Sequence, residues 1–596
     1  MAALAASIGL RPKPPSSLKS FPYTLFRRIQ CSIEDLKGQR VAVVGLGVSG
    51  RAAVKLALSR GASVLAIDKN EQMVPLERDP QFVEYADLQT MLGYCDNMHL
   101  ANADRIVVSP GVPLQEYDLS SLLHSGKLVM SELDFAAEAL PQSMKILAVT
   151  GTNGKSTVTT FAGQMLHHFG IEIFVGGNLG KPLSDAAFLC LHANSIEDMI
   201  QVAVVEVSSY QLEIPTKYFS PSVAVILNLT PDHLERHKTL KNYAETKCRL
   251  FSHLKHNKLA ILPVGNQYME EAYSKYTDKC NLAWIEGNPG IKTDFGSKVA
   301  TFSFPTTGIV THLQLGDLKA IGAHNHSNAA VAAFSVLGLD VGIDCDFIKS
   351  TVGILSILPH RMQVVCIDAH GITWVDDSKA TNVESTLTGL KGLKEHNAVV
   401  LLGGVAKALN DRESNGFEQL IDDLKHHKGV ITFGSSGAMI QKTLCDGGLE
   451  VPCVRAMNLK QAVDIAKNMA TYGGGKANES NQGPCSASVM ISGCWRPSTT
   501  VVGDGLRRGD NLLSDEVDPE WVQVMDKEGS KARRKPPKKV PSVPFFLSIA
   551  RSKKKKTLHT SDNVVDAANL SPPSSELVYF ILELQGCNRV GGSSVT

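Results

Sequence analysis

The chain has 596 residues, 60 Lys and Arg against 59 Asp and Glu, and a formal net charge of +1. With 43% hydrophobic and 20% charged residues it has the make-up of an ordinary globular protein of about three or four domains. The balanced charge excludes a whole-surface electrostatic case for nucleic-acid binding, no run of about 18 apolar residues offers a transmembrane helix, and 12 Cys without a Cys-x-x-Cys pair exclude a zinc ribbon or a disulfide scaffold.

The first 33 residues contain no Asp or Glu, but carry Arg11, Lys13, Lys19, Arg27 and Arg28 among several serines. An acid-free, Ser/Arg-rich leader without a long apolar stretch reads as an organelle transit peptide over residues 1–38, plastid ahead of mitochondrion. An unstructured N-terminus on a cytoplasmic protein is the alternative. From residue 39 the texture changes to short apolar runs that end in polar or Gly-rich turns. They are Val41–Val44, Ile146–Val149, Val202–Val205, Val223–Leu227, Val399–Leu402 and Val430–Phe433. Continuous runs of this length suit parallel strands buried on both faces, and the stretches between them fit crossover helices. The fold class is therefore α/β, in three blocks at 39–143, 144–357 and 358–475. The last boundary is set by Leu358-Pro359, because the residue before a proline is pushed out of helical geometry.

In the first block, Gly45-x-Gly47-x-x-Gly50 follows the first apolar run, with Asp68 about twenty residues beyond. Alone this reads as a dinucleotide fingerprint with Asp68 as the ribose acid. The second block opens on Val149-Thr-Gly-Thr-Asn-Gly-Lys-Ser-Thr157, a glycine turn between a strand and a helix. Backbone N–H groups at such a turn wrap a phosphate and the helix dipole adds positive potential. Lys155 then reaches the outer phosphates, and the Ser156 hydroxyl is a Mg²⁺ ligand. Glu206 closes the next run, where an α/β nucleotide site places a second magnesium ligand. Asn228-Leu-Thr-Pro-Asp232-His233 ends another strand, and Lys247 lies four residues from Tyr243, on one helical face. After residue 475 the character shifts again. Between Lys527 and Lys556 there are twelve Lys or Arg and one acid, with four prolines, so residues 476–596 read as a disordered basic tail.

In this order, Gly45–Gly50, Thr150–Thr157, Gly177-Asn-Leu-Gly180, Glu206–Glu213, Asp232-His233, Lys247, His324-Asn-His-Ser-Asn328, Pro359-His-Arg361 and Asp377-Ser-Lys-Ala-Thr-Asn382 resemble the Mur ligases, over roughly residues 39–475. The resemblance implies three domains: a Rossmann-like UDP-sugar domain, a central P-loop ATPase-like domain and a Rossmann-like amino-acid domain. It implies a monomer that joins D-glutamate to UDP-N-acetylmuramoyl-L-alanine with ATP and Mg²⁺, through an acyl phosphate, for peptidoglycan precursor synthesis. Gly151, Thr152, Asn153, Gly154, Lys155, Ser156, Thr157, Asn328, Arg361 and Asp377 match ATP-binding positions. Gly45, Gly47, Ser49, Gly50, Asp68, Asn178 and His233 match UDP-sugar positions, so the first glycine loop is expected to hold a UDP pyrophosphate and not NAD. Lys379, Thr381 and Lys407 match positions near the acceptor glutamate. Ser156, Glu206, His233 and Lys247 match the metal site, with Lys247 as a carbamate. Lys155, His233, Lys247 and Arg361 are the catalytic set. A folylpolyglutamate-type ligase shares the ATP core, and a non-catalytic descendant is the other alternative, because the family's closing substrate segment is not recognisable after residue 475.

Overall fold

The computed structural model describes residues 35–93, 97–193, 195, 199–254, 258–380, 382–393, 397–404, 416–472 and 488–493. The leader through residue 34, Thr381, Lys407 and everything beyond 493 lie outside the described residues. The described chain divides into two compact units, one of residues 35–363 with 376–393, the other of 364–375, 397–472 and 488–493.

The first unit holds two sheets. β1 (Arg40–Val44), β2 (Ser63–Asp68), β3 (Leu88–Leu92), β4 (Arg105–Val108) and β5 (Val129–Ser131) form a five-stranded sheet in the order 3-2-1-4-5. All its pairings are parallel. The strand order reverses between β1 and β4, and the crevice at such a switch point is where open α/β sheets take ligands. The Gly45–Gly50 loop leaves β1 at that point. Gly45 has φ +87°, and a Cβ on Gly50 would fall 1.8 Å from the Gly45 carbonyl oxygen. Glycine at residue 50 is therefore what lets the helix Val48–Ser59 start against the strand end.

The second sheet has nine strands: β6 (Lys145–Thr150), β7 (Ile173–Gly177), β8 (Val202–Glu206), β9 (Val223–Ile226), β10 (Leu259–Pro263), β11 (Asn281–Ile285), β12 (Gly290–Asp294), β13 (Val299–Ser303) and β14 (Val310–Gln314). Their order is 14-13-12-11-10-9-6-8-7, parallel from β7 to β12 and antiparallel only through β13 and β14. The middle strands are buried along their whole length, as their unbroken Val, Ala and Ile runs require of a sheet covered on both faces. On one face Val158, Phe161 and Ala162 of the helix Lys155–His168 join a core with Ala329, Ala330 and Ala333 of the helix Ala323–Gly338. Small residues on the second helix let the two axes come close, and that sets Asn328 beside the phosphate loop.

The helix Glu132–Ala139 ties the two sheets. Asp134 accepts the N–H groups of Lys217, Tyr218 and Phe219 at 2.7–3.0 Å, and Glu132 Oε1 accepts the Ser184 N–H at 2.7 Å. Burial pushes the Glu132 carboxyl up to about 7, and its Oε2 has no partner among the described residues. A raised folded-state value means that the native protein holds this proton while the unfolded chain has lost it. The group therefore costs stability as pH rises from its ordinary value through about 7. Glu132→Gln keeps the acceptor and removes the charge. It is expected to raise the melting temperature at pH 8, where the cost is on the order of 3 kcal/mol, and to leave it nearly unchanged at pH 4.5. A pH-independent difference in thermal melts would refute the assignment.

The second unit is built on β15 (Gln363–Ile367), β16 (Thr373–Asp377), β17 (Val399–Gly403), β18 (Gly429–Phe433), β19 (Cys453–Arg455) and β20 (Ser488–Gly493), ordered 15-16-20-17-18-19. β20 pairs in parallel with β17, Val399 opposite Val489 through Gly403 opposite Gly493. This corrects the sequence reading, which ended the third block at 475 and placed everything after it in a tail. The strand was missed because only Val489-Met-Ile491 is apolar, after a Gly/Asn/Ser-rich connection that reads as linker. By compactness, residues 359–363 and 376–393 group with the first unit, and β16 leads back into it at Asp376. Among the described residues no helix is long and apolar enough to cross a membrane.

Candidate functional site

The loops after β6, β8 and β9 meet at the carboxyl end of the nine-stranded sheet. After β6, Gly151 has φ +146° and Gly154 φ +85°. A Cβ on Gly154 would stand 2.8 Å from Asn328 Oδ1, so the turn closes only with glycine there. Asn228, just past β9, clamps the loop: its Oδ1 accepts the N–H groups of Thr152 at 3.0 Å and Asn153 at 2.8 Å, and its Nδ2 donates to the Asn153 carbonyl at 3.0 Å. Thr152 Oγ1 donates to the Thr230 carbonyl at 3.2 Å. Thr152 and Asn153, two of the positions matched to ATP binding, direct their N–H groups to Asn228. The N–H groups at the start of the helix Lys155–His168 and the positive end of its dipole carry the anion-binding character of the loop.

Two lysines and two acids share this end of the sheet. Lys155 Nζ donates to the Thr152 carbonyl at 2.8 Å, and burial holds its ammonium below the usual value, against the pull of Glu206 and Asp232. Lys247 comes from the helix Leu240–Cys248, is 1% exposed, and donates from Nζ to the Gly151 carbonyl at 2.9 Å. Its Nζ also lies 4.3 Å from the Tyr243 ring centre. Burial first, and Lys155 second, hold Lys247 well below the ordinary lysine value. Glu206 is 3% exposed; Oε1 accepts from Asn178 Nδ2 at 3.2 Å, while Oε2 is buried without a partner among the described residues. A buried, unsatisfied carboxylate oxygen is costly unless something cationic meets it.

Residues from the 359–385 stretch join the same cluster. Arg361 Nη2 donates to Ser156 Oγ at 3.2 Å, and Ser385 Oγ donates to Asn153 Oδ1 at 2.8 Å. Asp377 accepts the Met362 N–H at 3.0 Å, and burial raises its carboxyl to about 7 against the pull of that bond and of Arg361. Lys379 is exposed and its N–H donates to the His360 carbonyl at 3.0 Å. Thr381 and Lys407, the other residues matched to the acceptor, fall outside the described residues.

At the first sheet, Asp68 accepts the Leu46 N–H at 2.7 Å and the Asn70 N–H at 2.9 Å, so its carboxylate fixes the Gly45–Gly50 loop. Ser109 Oγ donates to the Gly45 carbonyl at 2.7 Å. The second sheet reaches this region through Arg236, which donates to the Val112 carbonyl at 3.0 Å and to both Glu213 oxygens at 2.7 and 2.6 Å. His233, three residues before it, has Nδ1 2.8 Å from the Tyr210 hydroxyl and Nε2 3.5 Å from Asp232 Oδ2. Sequence reasoning assigned no role to Asn228, Arg236, Glu213 or Ser385. Only Asn228, a polar residue directly after a buried strand and close to Asp232-His233, carried a local signal.

Among the described residues no three His, Cys, Asp or Glu converge as a metal cage. The donors that do fit Mg²⁺ are hard oxygens: the unpartnered Glu206 Oε2, the Ser156 hydroxyl, and Lys247 if its amine becomes a carbamate. The set is incomplete without phosphate and water oxygens, which is how Mg²⁺ is held in nucleotide sites.

Three family descriptions match the chain: "Mur ligase MurD-like, N-terminal domain" over residues 39–131, "Mur ligase middle domain" over 149–336 and "Mur ligase, glutamate ligase domain" over 360–475. The UDP-N-acetylmuramoylalanine–D-glutamate ligase of Koribacter versatilis is 31% identical over 442 residues, 74% of this chain and 91% of that protein. The enzyme of the same name from Desulfatibacillum aliphaticivorans is 32% identical over 445 residues, 74% and 92% of the two chains. Among solved structures, the MurF ligase of Thermotoga maritima in complex with ADP superposes with a TM-score of 0.46 at 19% identity, over 77% of this chain and 92% of that one.

Proposed function

The chain belongs to the Mur ligase family, and from that premise we propose that it joins D-glutamate to UDP-N-acetylmuramoyl-L-alanine at the expense of ATP, releasing ADP and phosphate. The observation that carries this reading is the convergence of Lys155, Glu206, Lys247 and Arg361 on one glycine turn. It occurs in a chain whose likeness to D-glutamate ligases runs through N-terminal, middle and C-terminal domains. The MurD-like N-terminal match favours this over a folylpolyglutamate-type ligase.

In this reading the Gly45–Gly50 loop holds the UDP pyrophosphate, with Asp68 and Ser109 fixing its shape, and His233 orients the substrate. The helix start at Lys155 holds the ATP phosphates. Lys155 and Arg361 lie beside the outer phosphate and neutralise the charge that spreads over it as the alanyl carboxylate attacks. The resulting acyl phosphate is opened by the D-glutamate amine, phosphate leaves, and the amide forms. Most of the rate comes from holding the two reactants in line in a site partly closed to water. Ser156, Glu206 and carbamylated Lys247 would hold Mg²⁺, which when bound neutralises phosphate charge.

The direct test measures phosphate released from ATP with UDP-N-acetylmuramoyl-L-alanine, with and without D-glutamate. Release that requires all three substrates is expected, with little release when L-glutamate replaces the D form. Release indifferent to D-glutamate would exclude the proposed reaction.

A further inference from the structure

Arg361 is aimed by an unusual turn. His360 has φ +65° and Met362 φ +48°, so the residues on both sides of Arg361 sit in the left-handed region. That region favours glycine, and here it is taken by a histidine and a methionine. Such a turn persists only when its surroundings over-determine it, and four contacts do so. The His360 N–H donates to Gln363 Oε1 at 2.9 Å, and the His360 carbonyl accepts the Lys379 N–H at 3.0 Å. The Met362 N–H donates to Asp377 Oδ1 at 3.0 Å. The His360 ring meets Asp376 Oδ2 at 2.6 Å through Nδ1. Asp376 is 5% exposed, and its other oxygen accepts the Ser378 N–H at 2.9 Å.

Three of these four contacts come from 376–379, so that segment holds the turn from outside. Asp376 is the member that grips a side chain. Among the described residues its hydrogen bonds go to the His360 ring and to its own Ser378 turn, and not to the phosphate loop. Arg361, by contrast, reaches Ser156 Oγ at 3.2 Å.

We propose that Asp376 is a positioning residue for the nucleotide site: by holding the His360 ring it keeps the doubly left-handed turn that points Arg361 at the phosphate loop. The side chain is needed for its reach and for a hydrogen-bonding atom at each of its two ends, one for Ser378 and one for the ring, more than for its charge. Asparagine at residue 376 keeps an oxygen for Ser378 and presents an amide to the ring. Alanine keeps neither, and frees the turn to relax toward ordinary backbone geometry, swinging Arg361 away from Ser156.

The inference rests on the reading of this site as an ATP site, so the experiment begins with calorimetric binding of a non-hydrolysable ATP analogue, β,γ-imido-ATP, which keeps the outer phosphate, to the full-length protein. Absence of binding by the unaltered protein would sink that reading and this one together. Given binding, Asp376→Ala should weaken the analogue about tenfold, and Asp376→Asn should stay within about threefold of the unaltered protein. Arg361→Ala should weaken the analogue comparably, and Asp376→Ala added to it should cost little more, since both act through one guanidinium. In turnover assays Asp376→Ala should raise KM for ATP while KM for UDP-N-acetylmuramoyl-L-alanine stays put. Unchanged affinity for the analogue in Asp376→Ala, or fully additive losses in the double variant, would overturn the proposal. Should Asp376→Ala fail to fold, His360→Gln probes the other end of the same contact, with the same expected tenfold loss and the same overturning result.

Discussion

Lys155→Ala should lower ligase turnover by about a hundred- to a thousandfold while leaving the thermal melt close to that of the unaltered protein. Both halves follow from where Lys155 sits. Its hydrogen bond goes to the Thr152 carbonyl within its own loop, and it is absent from the buried core, so its removal opens no cavity in the sheet. The loop keeps the three hydrogen bonds of Asn228 and the glycines at 151 and 154 when the one bond from Lys155 is lost. In the proposed reaction what is lost is a cation beside the transferring phosphoryl group, and single charge contacts of that kind are worth about 10²–10³ in rate. A further consequence separates this from a generic defect. Lys155 is the second largest cause of the low Lys247 value, so its removal should let the Lys247 amine bind a proton more readily. Less free amine means less carbamate, and the variant should respond more steeply to added bicarbonate than the unaltered protein. Turnover and ATP affinity unchanged in Lys155→Ala would remove the phosphate loop from the mechanism.

The strands that build this site were legible because their apolar runs are unbroken and each ends on a polar or glycine residue. Thr150 at the end of β6, Glu206 at the end of β8 and Asn228 after β9 all fall where an α/β sheet presents its ligand side. In the structure Lys247 bonds to the Gly151 carbonyl of the glycine turn, and Glu206 acts on Lys155 of the same turn. The use of Asn228 as a clamp was not legible: an asparagine at a strand end has many local uses, and only tertiary geometry turns its amide toward two N–H groups at once. Ser385 against Asn153, and Asp376 against His360, join residues far apart in sequence with no shared pattern. β20 was lost for a different reason. A three-residue apolar run is too short for periodicity to register, and its place beside β17 is fixed by a ladder of parallel pairing that leaves no local trace. That strand also bears on the non-catalytic alternative, since at least part of the sequence beyond residue 475 completes the third sheet.

Lys247→Ala should abolish nearly all turnover, by about a thousandfold or more, and yet bind ADP much as the unaltered protein does. An ammonium at this place would be a poor neighbour for Mg²⁺ and has no lone pair to offer. The surroundings instead favour the neutral amine: Lys247 is 1% exposed, and both burial and Lys155 hold its value well down. A neutral amine is the form that adds CO₂. The carbamate that results keeps one N–H, enough for the 2.9 Å bond to the Gly151 carbonyl, and extends two hard oxygens beyond the present position of the nitrogen. Those oxygens are anionic and suit Mg²⁺, which the unpartnered Glu206 Oε2 also suits. Because burial and the neighbouring Lys155, both part of the resting site, create the low value, the amine is poised before any ligand binds, and carbamylation should be present in the resting protein. Labelling with ¹³C-bicarbonate should then give a carbamate resonance that Lys247→Ala lacks. Acetate or formate in excess should return part of the lost turnover to Lys247→Ala by standing where the carbamate oxygens were, and should do nothing for Lys155→Ala, whose missing group is a cation. The stem of Lys247 is buried, so some loss of melting temperature is expected from the truncation alone; Lys247→Met, which fills the same space without an amine, should regain the stability but not the turnover. Full activity in either variant, or an unaltered protein that is active without a carbamate signal, would leave Lys247 as a buried amine that serves only to hold Gly151.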